Sequence, residues 1–192
     1  MASPVGHSLL ALSIALAQKN TQKLSTRLML LFVIVSANLA DLDFLPGLLI
    51  GDMNRFHHGA SHSLVFALSY ALICYLIWHL VHRENAPIVG WLGFIAYSSH
   101  LLADYIADDL GAPYGIPLFW PFSPTYWILD PPILRSFSHG NVGSETTTVL
   151  LHIFSWHNVA SIVIEVLIFL PLLLIGWIIH RKRQDNDPDR SP

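Results

Sequence analysis

Apolar residues gather along this chain in stretches about as long as a bilayer is thick. Three of them, His62–His82, Pro87–Ile106 and Val159–Ile179, meet the ~20 residues a helix needs to cross. A fourth, Thr21–Ala40, has its apolar centre at Leu28–Val35 and is cut off by Asp41. Leu9–Ala17 is a fifth, shorter stretch. Pro87 suits a first helical position, where its missing N–H costs nothing. Pro171 should kink the last span or be accommodated by local rearrangement. No heptad or longer repeat is visible. The pattern predicts an all-α, polytopic bundle of about four to five membrane helices.

Residues 107–158 break the pattern. They carry Pro113, Pro117, Pro121, Pro124, Pro131 and Pro132, interleaved with Trp120, Phe122, Tyr126, Trp127 and Phe137. Helix does not continue through so many prolines. Trp and Tyr at this density suit the headgroup level, so the segment is expected to lie on the interface or cap the bundle. Residues 1–183 then form one membrane-embedded domain, and 184–192 read as a disordered tail.

Composition agrees. Mean hydropathy of +0.51 exceeds that of an ordinary soluble domain. A net charge of -3 with scattered cations leaves no footprint for nucleic acid. Cys74, the single cysteine, lies in an apolar run and reads as a buried small hydrophobe. No basic residue precedes Leu9–Ala17, so it is expected to be a retained helix rather than a signal peptide. Lys19, Lys23, Arg27, Arg83 and Arg181–Arg183 fall on connections that the positive-inside rule assigns to the cytoplasm. The opposite ends of the helices are then expected on the outer face.

That orientation collects a second set of residues. His7, Asp41, Asp43, His57, His58, His62, His100 and Asp104 all fall near the outer ends of four separate segments. His100 and Asp104 are spaced to share a helix face, as are His58 and His62 if their helix begins early enough. Asp41 and Asp43 would point together only in a turn, which Pro46-Gly47 makes plausible. Imidazole with carboxylate, and no thiolate, suits zinc, manganese or iron. The number of ligands exceeds one ion's needs, which points to one or two divalent ions per chain. Gly59-Ala60-Ser61-His62-Ser63 is a poor nucleophile elbow, lacking the second glycine and a preceding strand. Ser61 and Ser63 fit better as a hydrogen-bond donor to the site and a helix cap. Glu165, inside the last span, needs a partner, with Ser161 or a histidine as the plain alternative to a functional role.

Gly6-His7, Ala40-Asp41-Leu42-Asp43, His57-His58-Gly59-Ala60-Ser61-His62-Ser63, Ser99-His100-Leu101-Leu102-Ala103-Asp104 and Trp120-Pro121-Phe122-Ser123 follow one another as in the YdjM-like family, which the chain resembles from about Pro4 to Ser123. The resemblance implies a bacterial inner-membrane protein of a group described as metal-dependent hydrolases. His58 stands where that family commonly has Arg, which leaves open whether His57 or His58 binds.

Together these readings predict a membrane-bound metal-dependent hydrolase of an ester or phosphoester. His7, Asp41, Asp43, His57, His62, His100 and Asp104 are the expected metal ligands, and Asp43 or Asp104 the proton acceptor. A membrane lipid is the expected partner and substrate class. A metal or proton transporter would show polar residues along its whole path, and the other halves of these spans are almost uniformly apolar. A non-catalytic membrane adaptor would use the same polar cluster structurally.

Overall fold

The computed structural model describes residues 1–19, 21–140 and 142–186. Its α-helices are α1 (Pro4–Ala17), α2 (Thr26–Ala37), α3 (Phe44–Leu49), α4 (Leu64–Val81), α5 (Ala86–Ile106), α6 (Thr146–Ile153) and α7 (Trp156–Asp185). Short 3-10 turns at Thr21–Lys23, Ala40–Asp43, Met53–Phe56 and Ala60–His62 join the first four.

Three helices, α4, α5 and α7, are long and apolar enough to cross a membrane. A fourth span requires the bent pair of α2 and Ala40–Leu49, which meet at 45°. The segment expected as one helix from Thr21 to Ala40 is therefore shorter and broken. Asn38 ends α2, and the chain turns through Ala40–Asp43 before helix resumes. At 14 residues, α1 spans only about 21 Å, too short to cross alone. Inside the predicted 107–158 loop, α6 is an unforeseen helix, and α7 starts three residues before Val159. α7 runs on through Pro171 and reaches Asp185, inside the segment read as disordered. The remainder of that tail, 187–192, lies outside the described residues.

α5 is the buried centre, packed against α1, α2 and α4. Gly90 and Gly93 bring α4 close to it. The largest helix contacts are α4 with α5 and α1 with α7. In the second, the place of a Cβ on Gly176 lies only 2.7 Å from the Ser13 carbonyl oxygen, so only glycine fits without displacement. Arg183 locks the same pair a turn further on, at the C-terminal end of α1, donating to the carbonyls of Ala17 at 2.7 Å and Gln18 at 2.9 Å. From Ser3 beside Glu165 to Ala17 beside Arg183, α1 and α7 thus run parallel, and the basic connections gather at one end of the bundle.

A buried apolar cluster of Ala11, Ala15, Leu16, Met29, Val33, Ala37, Leu92 and Ala96 fills the half of the bundle towards that basic end. The other end is closed by the proline-rich segment. Leu64 N–H donates to Leu118 O, Leu129 N–H to Tyr105 O, and Ile116 and Trp127 pair reciprocally. Ile116 is buried beneath the segment with Ala40, Tyr97 and Leu101. Its outer side shows Phe119, Trp120, Phe122 and Trp127. The expected cap of aromatic residues is thereby in place.

Ala at Gly176 should lower the thermal midpoint of the detergent-solubilised protein, since forced overpacking costs about 1–3 kcal/mol. Ala at Leu167, 70% exposed on the same helix, should shift it far less. Equal shifts would mean that the α1–α7 seam does not depend on close backbone approach.

Candidate metal centre

Local structure explains how the polar residues reach one place. His7 lies in the first turns of α1, whose N-cap Ser3 accepts from Gly6 N–H. The 3-10 turn at Ala40–Asp43 directs both Asp41 and Asp43 inward, as the sequence required of a turn. α4 begins only at Leu64, capped by Ser63, so His58 and His62 do not share a helix face. His58 sits instead in a left-handed turn at φ 56°. Tyr97 of α5 braces this block by donating to Ser61 O at 2.8 Å. His100 and Asp104 share one face of α5, and their facing atoms are 3.1 Å apart.

Four donor atoms form a closed ring. His62 Nε2 lies 3.1 Å from His100 Nε2, 3.5 Å from Asp41 Oδ1 and 3.6 Å from Asp104 Oδ2. His100 Nε2 lies 3.5 Å from Asp41 Oδ1 and 3.1 Å from Asp104 Oδ2. A tetrahedral ion with bonds of ~2.0–2.1 Å has ligand–ligand edges of roughly 3.3–3.4 Å. Five of the six edges among these atoms, all but that from Asp41 to Asp104, fall around that length. His7 adjoins it, stacked on His100 at 3.8 Å, with Nε2 3.4 Å from Asp104 Oδ1.

Hydrogen bonding settles which nitrogens face inward. His100 Nδ1 is 2.8 Å from Ala37 O, and a carbonyl only accepts, so Nδ1 carries the proton. His62 Nδ1 is 3.1 Å from Asp43 Oδ2. His57 Nδ1 donates to Asp43 Oδ1 at 2.9 Å, and Ser61 Oγ donates to Oδ2 at 2.8 Å. Asp43 therefore orients two imidazoles and keeps neither oxygen unpartnered. In neutral His62 and His100 both Nε2 atoms present lone pairs, and two lone pairs 3.1 Å apart require a proton or a cation between them. Burial opposes protonation of His62, but the carboxylates of Asp41 and Asp43 win and raise its pKa to about 10.

The cluster also contains buried atoms without a hydrogen-bond partner: both nitrogens of His7, Asp41 Oδ1, His58 Nε2 and Asp104 Oδ2. A buried polar atom left unsatisfied costs about 1–3 kcal/mol, and few proteins leave several together. Two buried carboxylates in the ring match the charge of one divalent cation. Groups of these residues could hold a metal ion: His7, Asp41 and His100; His62, His100 and Asp104; His57, His58 and His62; Asp41, Asp43 and His57.

All seven residues singled out in the sequence thus come together. Two others were not foreseen. Asp109 Oδ2 lies 3.5 Å from His58 Nδ1, and His139 Nδ1 donates to Asn54 Oδ1 at 2.7 Å. Burial would raise the Asp109 pKa, but the hydrogen bond from His58 holds it down at about 2. Burial lowers that of His139 to about 4, and that of His57 also falls. No spacing marks His139, which is 85 positions from Asn54.

Glu165 belongs elsewhere. Its carboxylate accepts from Ser3 N–H at 2.7 Å and from Ser3 Oγ, tying α7 to the start of α1. Neither Ser161 nor a histidine is its partner; Ser161 Oγ donates to Ser136 O instead. A Cβ on Gly6 would meet this carboxylate at 2.7 Å. His180 is buried at the basic end beside Thr21 and Gln184.

Bundle and polar cluster define a multi-pass, all-helical membrane protein with a histidine–aspartate centre at one end. The chain belongs to the YdjM inner membrane protein family, whose model matches residues 1–183. Searches of curated proteins and of solved structures found no match.

Glu165→Ala should strip two buried donors of their acceptor and destabilise the fold by about 1–3 kcal/mol. Glu165→Gln, which still accepts, should lose less. Denaturation of both variants in detergent checks this; equal losses would mean that the acceptor is dispensable.

Proposed function

We propose that this protein is a metal-dependent hydrolase that cleaves an ester or phosphoester of a membrane lipid at the outer face of the inner membrane. The observation that carries the reading is the buried ring of His62 Nε2, His100 Nε2, Asp41 Oδ1 and Asp104 Oδ2, spaced as ligands around one ion.

These four residues would hold a zinc or manganese ion, with His7 beside them. Such an ion lowers the pKa of bound water towards 7 and polarises a scissile oxygen. His62 must give up its proton to bind it, so affinity rises with pH across the neutral range. Asp43 takes the Nδ1 protons of His57 and His62 and fixes their rings. With both its oxygens engaged, it is an orienting group, not the base. Asp104 Oδ2, unpartnered and facing the ring, would be spent as a ligand of the ion. The side chain of Asp41 is 13% exposed and the other three are almost fully buried, so the ring opens on the Asp41 side.

Two features favour hydrolysis at a membrane surface over transport. The apolar cluster around Leu16, Met29 and Leu92 fills the bundle beyond the ring and offers an ion no polar path. The exposed aromatic residues of the proline-rich segment flank the same end, with Trp120 6.0 Å from Phe66 of α4. At headgroup level they would grip an acyl region while the ester reaches the ring.

Purified protein should retain a divalent transition ion that His62→Ala plus His100→Ala loses. The loaded protein should also prefer a long-chain ester over a short-chain ester with the same headgroup, and Asp104→Asn should abolish turnover of both. Turnover by a metal-free double variant, or equal use of both esters, would overturn the corresponding half of the reading.

Orientation has its own test. In a Cys74→Ala background, an impermeant thiol reagent should label Ser123→Cys, and not Asn85→Cys, in intact cells. The reverse result would place the centre on the cytoplasmic face.

A further inference from the structure

The ring leaves a neighbouring group of imidazoles unused. His57 and His58 are in tilted ring contact at 4.3 Å, and His139 meets His57 edge-on at 4.8 Å. Each turns Nδ1 towards an oxygen: His57 to Asp43, His139 to Asn54, and His58 to Asp109 at 3.5 Å. That arrangement, in which one ring nitrogen is anchored on a carboxylate or carbonyl oxygen, is how proteins aim the other nitrogen at a metal. His58 is only 6% exposed, and its Nε2 has no hydrogen-bond partner. His57 Nε2, unprotonated when Nδ1 donates, meets the Met1 sulfur at 2.9 Å, which has no proton to give it.

These side chains share an opening. Asn54, His57, His58, Asp109, Gly111 and His139 help to line a cavity of about 40 Å³. That is room for an ion with a water, since one water needs only ~10–15 Å³ measured in the same way. The chamber adjoins the ring: one ligand nitrogen from each of His57, His58 and His62 lies within 4.8 Å of the others. Its chemistry selects a cation. Asp109 and Asp43 stand behind the imidazoles and would repel an anion, while nitrogen lone pairs suit a transition ion.

We propose that this chamber holds a second divalent transition-metal ion, bound by His57 and His58 with His139 facing it, beside the ion of the His62–His100 ring. The proposal rests on the reading of that ring as an ion site. Both His57 and His58 then bind, and they serve the second ion rather than the first. A paired centre of this kind clamps both oxygens of a hydrolytic displacement.

His58→Asn is the informative variant, because asparagine adopts the left-handed backbone of this position more readily than other non-glycine residues. Equilibrium dialysis of metal-stripped full-length protein against manganese, at neutral pH, counts the ions. Two equivalents in the wild type and one in His58→Asn support the proposal, with the second affinity falling more than ~100-fold, beyond the usual loss for an orienting residue. One equivalent in both proteins overturns the second ion and leaves the ring intact. No binding by the wild type overturns both, and two equivalents in both exclude His58 as a ligand. Should His58→Asn not be monodisperse, electron paramagnetic resonance of the manganese-loaded wild type decides. A spin-coupled pair supports the proposal, and isolated ions overturn it.

Discussion

A carboxylate sealed inside an apolar bundle has to be answered from every side, and Asp104 is such a group. It is 2% exposed on the central helix. Ala2 N–H donates to Oδ1 at 2.9 Å, His7 comes within 3.4 Å of the same oxygen, and His62 and His100 flank Oδ2. An isolated charge at this depth would cost several kcal/mol. The start of α1, the histidine block before α4 and the last turns of α5 are all held in the positions that avoid that cost. Glu165 repeats the principle one layer away, through Ser3. The short α1, which cannot span a bilayer by itself, is thereby fixed at its N-terminal end by two acidic groups and at its other end by Arg183.

The division of the bundle into two halves follows from the same chemistry. Polar groups concentrate where helices α1, α2, α4 and α5 end on one side, and small or branched apolar residues occupy the rest. Ala11, Ala15, Ala37 and Ala96 let the helices close on one another there. The proline-rich segment, tied down by Leu64, Tyr105 and Ile106 through backbone hydrogen bonds, covers the polar side and is itself covered with exposed aromatic rings.

Much of this was legible in the order of residues. Apolar stretches of membrane length mark α4, α5 and α7 because burial in lipid demands both length and composition. The four-residue step from His100 to Asp104 reads directly as one helix face, and Asp41-Leu42-Asp43 reads as a turn because only a turn brings both carboxylates round. What escaped had no local signature. Where α4 begins depends on the Ser63 cap and on Leu118 reaching back to Leu64, so the apparent pairing of His58 with His62 was an artefact of spacing. The bonds that Asp43 makes to His57, Ser61 and His62 carry no mark in the sequence either. His139 and Asp109 enter only through the path of the segment between α5 and α7.

The anchoring of the imidazoles carries the chemical argument beyond proximity. A cluster of histidines and aspartates could be a network of mutual hydrogen bonds, each donor answered by an acceptor. Here the inner side is instead a surplus of acceptors. His57, His62, His100 and His139 each spend Nδ1 on an oxygen outside the cluster's centre, and the atoms left facing inward are lone pairs and carboxylate oxygens. Protons can relieve only part of that surplus: the one on His62 Nε2 serves a single contact and leaves Asp104 Oδ2 and the nitrogens of His7 unanswered. A divalent cation answers several acceptors at once, because it accepts a lone pair from each. The structure invests hydrogen bonds to Ala37, Asn54 and Asp43 in holding acceptors face to face, an arrangement that a positive charge between them would relieve.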